Sequence, residues 1–338
     1  MEINNRITVS KDWKGDYRTI KEALNAIPDN NSAPVKIFIY NGIYEEKLVI
    51  NKPYLTMEGE SAEGTIITYS DYARMVMPDG ELRGTFRTAT VMIDTHNVAV
   101  KNITIRNEAG PGYLVGQAIA LYVDGDRLEF DGCRIIGNQD TLFTGPLPLS
   151  PLVHKGFVGP KEHAPRNHGR QYFKDCYIEG NVDFIFGSAT TYFENCEIFT
   201  KCVNRMEEHE NQTGVKGYIT APSTPQDKEY GYVFYECNFT SDCPPKTVYL
   251  GRPWRNYAKV VLIRCHLGAH IKEEGWCDWN KEDAHETVLF GEFESSGSGA
   301  EGILTGRRVP WSKQLMKDES LLYSRDIVYN IHKVREFL

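Results

Sequence analysis

Cysteine, long apolar runs and basic residues are all scarce in this sequence, and each scarcity excludes a class of protein. Eight cysteines in 338 residues are too few for a disulfide-stapled scaffold, and no Cys-x-x-Cys pair suggests a zinc ribbon or a thioredoxin-type redox site. No run approaches the roughly 18 consecutive apolar residues that a membrane-spanning helix needs. The 38 basic residues are outnumbered by 46 acidic ones, and the formal net charge of −8 argues against nucleic-acid binding.

The N-terminal segment also lacks the features of a secretion signal. Residues 1–5 contain neither a basic start nor an apolar stretch, so no signal peptide is predicted. We therefore expect a soluble chain that is either cytoplasmic or secreted with its leader already removed, and the sequence leaves the compartment open. Hydrophobic residues make up 41% and charged residues 25% of the chain, a composition typical of a globular protein rather than a disordered one.

Five of the eight cysteines share one local pattern, with an apolar residue three positions before the cysteine and another two positions after it. The five triplets are Phe130/Cys133/Ile135, Phe173/Cys176/Ile178, Phe193/Cys196/Ile198, Phe234/Cys237/Phe239 and Leu262/Cys265/Leu267. Side chains two positions apart on a strand point to the same side, which we interpret as the inside. A strand that recurs with a fixed small inward residue is typical of a solenoid of stacked coils. We expect these cysteines to be buried and chemically inert.

Two segments interrupt this repeat and are predicted to be long side loops. Residues 144–170 contain five prolines, which cannot serve in a central strand, so the interval from Cys133 to Cys176 is interpreted as one coil that carries a loop. A run dense in charge predicts a second loop at 203–216, within the interval from Cys196 to Cys237.

The two ends of the chain differ from the repeat, as the ends of a solenoid must. Ile20, Ala23, Leu24 and Ile27 recur at helical spacing and predict a short amphipathic capping helix. Residues 311–338 are predicted to be a C-terminal tail of mixed helix and coil. The sequence therefore predicts an all-β fold, a right-handed parallel β-helix that forms a single domain over residues 1–338. The main alternative, a Rossmann-type α/β chain, lacks the required alternation of strands and helices.

Two aspartates share the register of the cysteines. Asp140 follows Cys133 by seven residues, and Asp183 follows Cys176 by seven. Because neighbouring strands lie about 4.8 Å apart, equivalent positions in adjacent coils would place the two carboxylates side by side. Like charges at that distance resist joint ionisation, so one aspartate keeps its proton to a higher pH and the two can serve as nucleophile and general acid. The alternative, that both aspartates only cap turns, is weakened by their large apolar neighbours.

At these segments the sequence resembles the pectinesterases, which are carboxylate-dependent esterases on a parallel β-helix. The match extends from Gly42 to Trp311 and covers most of the chain. Its strongest segments are Gln117–Leu121, Gln139–Leu142, Asp183–Gly187 and Leu250–Trp254. Each segment alone is a weak signal, but the four in order agree with the solenoid inferred from the cysteines.

The resemblance implies a role for each residue of these motifs. Asp183 would be the nucleophile, and Asp140 the general acid and then the general base. Gln117 and Gln139 would donate hydrogen bonds to the developing oxyanion, and Arg252 would hold the nucleophile ionised. Substrate contacts are expected from Trp254, Phe186, Thr85, Phe143 and Val182.

The expected activity is therefore hydrolysis of methyl esters of galacturonate units in pectin or its oligomers, by a monomer that needs no metal or cofactor. No Gly-x-Ser-x-Gly motif indicates a serine nucleophile. The alternatives are a polysaccharide lyase or glycoside hydrolase on the same fold, and a non-catalytic carbohydrate-binding solenoid. The loop at 144–170 leaves the chain after Asp140 and returns before Asp183, so we expect it to wall one end of the active groove and to bias substrate length.

Overall fold

The computed structural model describes residues 6–202 and 214–329, and over this part of the chain short parallel strands wind into stacked coils with up to three strands each. Each strand pairs with its counterparts in the coils before and after it, so three parallel sheets run along the molecule. This is the right-handed parallel β-helix predicted from the repeat. No helix among the described residues is both long enough and apolar enough to cross a membrane.

The three sheets contain eleven, seven and eight strands. The eleven-stranded sheet consists of β1 (Arg6–Val9), β2 (Val35–Ile39), β5 (Leu55–Gly59), β8 (Val98–Lys101), β11 (Leu128–Asp131), β14 (Arg170–Lys174), β17 (Thr190–Glu194), β20 (Tyr232–Tyr235), β23 (Lys259–Ile263), β25 (Leu289–Phe293) and β26 (Lys313–Gln314). The seven-stranded sheet consists of β4 (Leu48–Ile50), β7 (Val91–Ile93), β10 (Leu121–Val123), β13 (Leu142–Thr144), β16 (Val182–Gly187), β19 (Gly217–Pro222) and β22 (Val248–Gly251). The eight-stranded sheet consists of β3 (Gly42–Glu45), β6 (Thr65–Tyr69), β9 (Thr104–Asn107), β12 (Arg134–Ile136), β15 (Tyr177–Gly180), β18 (Glu197–Thr200), β21 (Asn238–Ser241) and β24 (His266–Leu267).

Short helices lie outside the strands, and the first of them covers the start of the coil as predicted. The α-helices are α1 (Ile20–Asn25), α2 (Gly112–Val115), α3 (Glu301–Leu304), α4 (Lys317–Ser320) and α5 (Arg325–Val328). The Thr19 hydroxyl accepts the Glu22 N–H at 3.2 Å, and the Glu22 carboxylate accepts the Thr19 N–H at 3.1 Å. This reciprocal capping box begins α1, whose apolar face is buried against β1 and β4.

The five patterned cysteines form a buried ladder in the core, as predicted. Each cysteine is at most 2% exposed, and its thiol donates to a carbonyl oxygen of the preceding coil. The neighbouring rings of Phe130, Phe173, Phe193 and Phe234 stack at centroid separations of 4.4, 5.1 and 4.4 Å. Because these coils contribute cysteines, and four of them also phenylalanines, at equivalent positions, the side chains stack into a continuous core over this part of the coil.

The structure also gives the position of the first predicted loop. β11 pairs directly with β14, so Cys133 and Cys176 belong to adjacent coils, and residues 145–169 between β13 and β14 contain no strand or helix. Of the second predicted loop, residues 203–213 lie outside the described residues, and 214–216 have no regular structure. The predicted tail contains β26, α4 and α5, and residues 330–338 lie outside the described residues.

Candidate active site

Asp140 and Asp183 occupy equivalent positions in adjacent coils. β13 pairs with β16 so that Leu142 lies opposite Ile185, and each aspartate lies two residues before its member of this pair. The Asp140 N–H donates to the Val182 carbonyl oxygen at 3.0 Å, which joins the two coils at this point. The register inferred from the cysteines is therefore confirmed for both carboxylates.

Both aspartates line one cleft of about 260 Å³ beside the seven-stranded sheet. The cleft also collects most of the side chains that the motifs indicated, although they come from separate coils and loops. Those predicted residues are Gln117, Gln139, Arg252, Trp254, Phe186 and Thr85. The segments that resemble the pectinesterase motifs therefore converge on a single site.

Arg252 holds Asp183 through a two-pronged ion pair. Its Nε donates to Oδ1 at 2.8 Å, and its Nη2 donates to Oδ2 at 2.6 Å. The guanidinium carbon lies 3.8 Å from the ring centroid of Tyr218 and 3.7 Å from that of Trp279, so the cation is held between two aromatic rings. This arrangement fixes the orientation of the Asp183 carboxylate and places a cation directly beside it.

Asp140 has the opposite electrostatic environment. Its side chain is buried and accepts no hydrogen bond from a described residue. Burial, together with the neighbouring Asp183 carboxylate, raises the pKa of Asp140 well above its usual value, and the charge of Arg252 only partly opposes this shift. The pair therefore contains one carboxylate that is held by an arginine and one that keeps its proton to a higher pH than an ordinary aspartate, an asymmetry that suits a nucleophile beside a general acid.

Gln117 and Gln139 supply amide groups to the same cleft. Gln139 immediately precedes Asp140, and its carbonyl oxygen accepts the Ala118 N–H at 3.1 Å, which places the two glutamine segments side by side. Within the described residues neither side-chain amide donates a hydrogen bond, so both N–H groups are available to a ligand. Gly112 makes room for Gln139, because a Cβ at position 112 would lie 2.4 Å from the glutamine Oε1.

An aromatic cluster forms the floor and wall of the cleft. The Phe186 ring lies 5.8 Å from that of Trp254, and the Phe86 ring is stacked 6.5 Å from the same tryptophan. Phe157 packs edge-on against Trp254 at 6.2 Å. The aromatic side chains that a bound ligand would contact therefore pack against other rings, which restricts their movement.

One of the predicted substrate contacts is not supported by the structure. Phe143 is 0% exposed and lies beneath the rings of Phe86 and Phe186, so it supports the floor of the cleft instead of touching a ligand. Val182 is partly exposed next to Asp183, and its predicted contact with substrate stays a prediction. The motif match located Phe143 correctly along the chain but gave no information on its burial.

Sequence reasoning missed four aromatic residues of the site, namely Phe86, Phe157, Tyr218 and Trp279. Of these, Phe157 and Trp279 lie in turns outside the repeat, and Phe86 lies in a short 3-10 helix, Thr85–Arg87. The fourth, Tyr218, lies on β19 directly opposite Val182 and two residues before Thr220. A register extended from β16 to the following coil would have indicated it as a neighbour of Asp183.

Residues 145–169 form one side of the cleft. Pro151, Leu152, Val153, Gly156 and Phe157 all line it. Next to this segment, the Lys155 ammonium lies 3.3 Å from the Glu81 carboxylate, which belongs to a turn between two bridged residues, Val76 and Leu82.

Ionic and polar contacts fix the base of the same loop. Lys161 donates to Asp94 at 2.6 Å, and Arg166 donates to four backbone carbonyl oxygens, those of Pro148, Lys161, Glu162 and Ala164. Because the base is anchored in this way, the loop presents a defined apolar surface to the cleft. Among the described residues, no group of three or more His, Cys, Asp or Glu side chains is arranged to hold a metal ion.

Comparison with known proteins gives one consistent result. The pectinesterase family model matches residues 6–146 and 164–325, and the unmatched interval lies within the loop just described. Pectinesterase 31 of Arabidopsis thaliana is 33% identical over 327 residues, which cover 95% of this chain and 90% of the relative.

Solved structures agree with the sequence comparison. The pectin methylesterase from carrot superposes with a TM-score of 0.79 at 27% identity, covering 97% of this chain and 93% of the carrot chain. A pectin methylesterase crystallised with a hexasaccharide superposes with a TM-score of 0.76 at 27% identity, covering 96% of each chain. With a family model matched over most of its length and a cleft assembled from the family's motifs, this chain belongs to the pectinesterases, a family of carboxylic ester hydrolases.

Proposed function

We propose that this pectinesterase hydrolyses methyl esters of galacturonate units in pectin or its oligomers through an aspartate nucleophile. The family supports the reaction, and the relative crystallised with a hexasaccharide supports an oligosaccharide ligand. The products are methanol and galacturonic acid, which becomes the carboxylate when it releases its proton to solvent.

In the first half of the reaction, an oxygen of the ionised Asp183 carboxylate attacks the C6 carbonyl carbon of the ester. The two hydrogen bonds from Arg252 support this role because they orient the carboxylate. Negative charge develops on the former carbonyl oxygen, and the side-chain amides of Gln117 and Gln139 donate hydrogen bonds to it. Amide donors suit this role because they add no titratable group.

Collapse of the tetrahedral intermediate requires a proton for the leaving group. Asp140 in its acid form protonates the departing methoxy oxygen, so methanol leaves and Asp183 is left as an acyl anhydride with the galacturonate. The raised pKa of Asp140 supports this role because the carboxyl keeps its proton to a higher pH than an ordinary aspartate.

In the second half, the Asp140 carboxylate left by the first step takes a proton from water, and the hydroxide attacks the anhydride. Cleavage regenerates the Asp183 carboxylate and the protonated Asp140, so atoms and charges balance over one cycle. A sugar ring would lie against Trp254 and Phe186, with Thr85 at the edge of the cleft.

The observation that carries this proposal is the pairing of an Arg-clamped Asp183 with a buried, unpaired Asp140 in one cleft. The test is methanol release from esterified pectin by the wild type and by D183N. Asn keeps the shape of the side chain but cannot act as a carboxylate nucleophile, and we expect a loss of at least about a thousandfold in kcat, as for other covalent nucleophiles.

The chain offers a matched control in Asp126, which makes the same two-pronged contact with Arg170 (2.9 and 2.8 Å) away from the cleft. D126N removes an ion pair of the same geometry that is more exposed than the Asp183 pair, and we expect it to keep the wild-type kcat. If D183N retained full activity while folded, Asp183 would not be the nucleophile. If D126N and D183N lost activity equally, the loss would reflect the ion pair's contribution to folding.

A further inference from the structure

Two cysteines outside the buried ladder occupy equivalent positions in adjacent coils. β18 pairs with β21 so that Thr200 lies opposite Ser241, and Cys202 and Cys243 each follow this pair by two residues. Neighbouring strands lie about 4.8 Å apart. Disulfides join Cα atoms that are usually about 4.4–6.8 Å apart. Positions in register on adjacent coils are therefore at the spacing that a disulfide needs.

Hydrogen bonds keep the two segments together beyond the ends of the strands. The Ser241 hydroxyl donates to the Thr200 carbonyl oxygen at 2.6 Å, and the Cys202 N–H donates to Asp242 Oδ1 at 2.5 Å. The Cys243 thiol also lies within 3.9 Å of the Thr200 carbonyl oxygen. Burial chiefly raises the pKa of the Cys243 thiol, to about 12, and the neighbouring Cys202 sulfur adds to this shift. The two thiols are thus close enough to interact.

Their accessibility distinguishes this pair from the other cysteines. Cys202 and Cys243 are both partly exposed, whereas the five ladder cysteines are buried and their thiols are engaged with backbone carbonyl oxygens. Cys277 is also partly exposed, but its sulfur accepts the Trp279 N–H at 3.4 Å, and it has no cysteine neighbour among the described residues. Of the three partly exposed cysteines, only Cys202 and Cys243 are therefore placed opposite each other on adjacent coils, as a disulfide requires.

We propose that Cys202 and Cys243 are a redox-active pair that forms a disulfide between adjacent coils when the protein meets a small-molecule disulfide. One cysteine thiolate attacks a sulfur of the oxidant, which forms a mixed disulfide and releases one thiolate. The second cysteine thiolate then attacks the protein sulfur of the mixed disulfide and releases the other thiolate. Two electrons pass from the cysteines to the oxidant, and the two protons lost by the cysteines end on the released thiols.

The disulfide would close a chain loop of about 40 residues, so it should stabilise the folded state chiefly by restricting the unfolded chain. The test uses the full chain, reduced and then incubated with glutathione disulfide. Intact mass should fall by two hydrogens, the thiol titre in denaturant should fall by two, and a non-reduced digest should contain one cross-linked peptide pair that joins Cys202 to Cys243. The midpoint of thermal unfolding should be higher for the oxidised protein than for the reduced protein.

The variants C202S and C243S should each abolish both the cross-link and the rise in the unfolding midpoint, whereas C277S should preserve them. These readouts do not depend on ester hydrolysis, so they remain decisive whether or not the proposed catalytic mechanism is correct. A cross-link within the ladder or to Cys277, or the absence of any cross-link after oxidation, would overturn the proposal.

Discussion

At the residue scale, the two aspartates proposed to be catalytic share an unusual backbone conformation. Asp140 and Asp183 have φ angles of 62° and 50°, in the left-handed region that non-glycine residues seldom adopt. Such a conformation costs about 1–3 kcal/mol and persists only where surrounding contacts enforce it. At Asp140 the contact is the hydrogen bond from its N–H to the Val182 carbonyl oxygen, and at Asp183 it is the pair of hydrogen bonds from Arg252. Because Asn tolerates this region almost as well as Asp, Asn variants are the appropriate tests of both positions.

The environment of Asp140 predicts the pH dependence of the reaction. Only the protonated form of Asp140 can give a proton to the leaving methoxy group, and the raised pKa keeps that form populated to a higher pH than for an ordinary aspartate. As the pH rises through the pKa of Asp140 in the free enzyme, kcat/KM should fall about tenfold per pH unit. Initial rates of methanol release at low substrate concentration, measured as a function of pH, check this expectation.

The corresponding control is D140N, which has no titratable group at this position. Its residual activity should be lower at every pH, and its profile should lack the alkaline decline that is due to Asp140. If the wild type and D140N showed the same alkaline decline, another group would be the general acid.

At the scale of elements, the position of the loop of residues 145–169 predicts that it influences the preferred length of the substrate. Its apolar segment lines one side of the cleft, while Phe157, Lys161 and the carbonyl-binding Arg166 hold its base. Replacing residues 150–156 by a short Gly/Ser linker should therefore open the cleft without releasing the anchors. We expect kcat/KM for polymeric pectin to rise relative to that for short esterified oligomers, since a long chain could then extend past the former wall.

The matched change for this loop is K155A, which removes the ion pair between the loop and Glu81 but leaves the residues that line the cleft in place. An exposed ion pair contributes little stability, so this variant should fold like the wild type and shift the polymer-to-oligomer ratio less than the linker does. An unchanged ratio in the linker variant would mean that the loop does not bias substrate length.

The sequence was most informative about elements wherever a side chain repeats in every coil. The cysteine pattern revealed the stacking order because five successive coils have a cysteine at the same inward position. The corner before each of these cysteines has a positive φ in every coil, yet it is occupied by Gly132, Asp175, Asn195, Glu236 and Arg264. Since the tertiary stack enforces this corner on residues of different types, no residue preference could have indicated it. Strands of only three residues, such as β13, are likewise too short for alternation to be visible.

At the scale of the whole molecule, the site could be predicted in outline but not in its lining. Both aspartates, both glutamines and Arg252 lie within repeated coils or next to them, where register and motif agree. Trp279 and Phe157 come from loops whose course depends on many distant contacts. Phe143 was predicted to contact the ligand, but its side chain is buried, and burial depends on the assembled coil rather than on the motif. Motif order thus predicts the chemistry better than it predicts the surface that selects the substrate.

The net charge of the molecule predicts how substrate esterification and salt should interact. The formal charge of −8 repels a pectin segment that is rich in free carboxylates, whereas a highly esterified segment is nearly neutral. Raising the ionic strength from 0.01 to 0.15 M shortens the screening length from about 30 to about 8 Å and should weaken this repulsion. We therefore expect KM for low-ester pectin to fall as salt is added, while KM for high-ester pectin stays nearly constant and serves as the internal control. Equal Michaelis constants for the two pectins at every salt concentration would mean that long-range repulsion does not influence the choice of substrate. Release of the anionic product would then depend on contacts within the cleft alone.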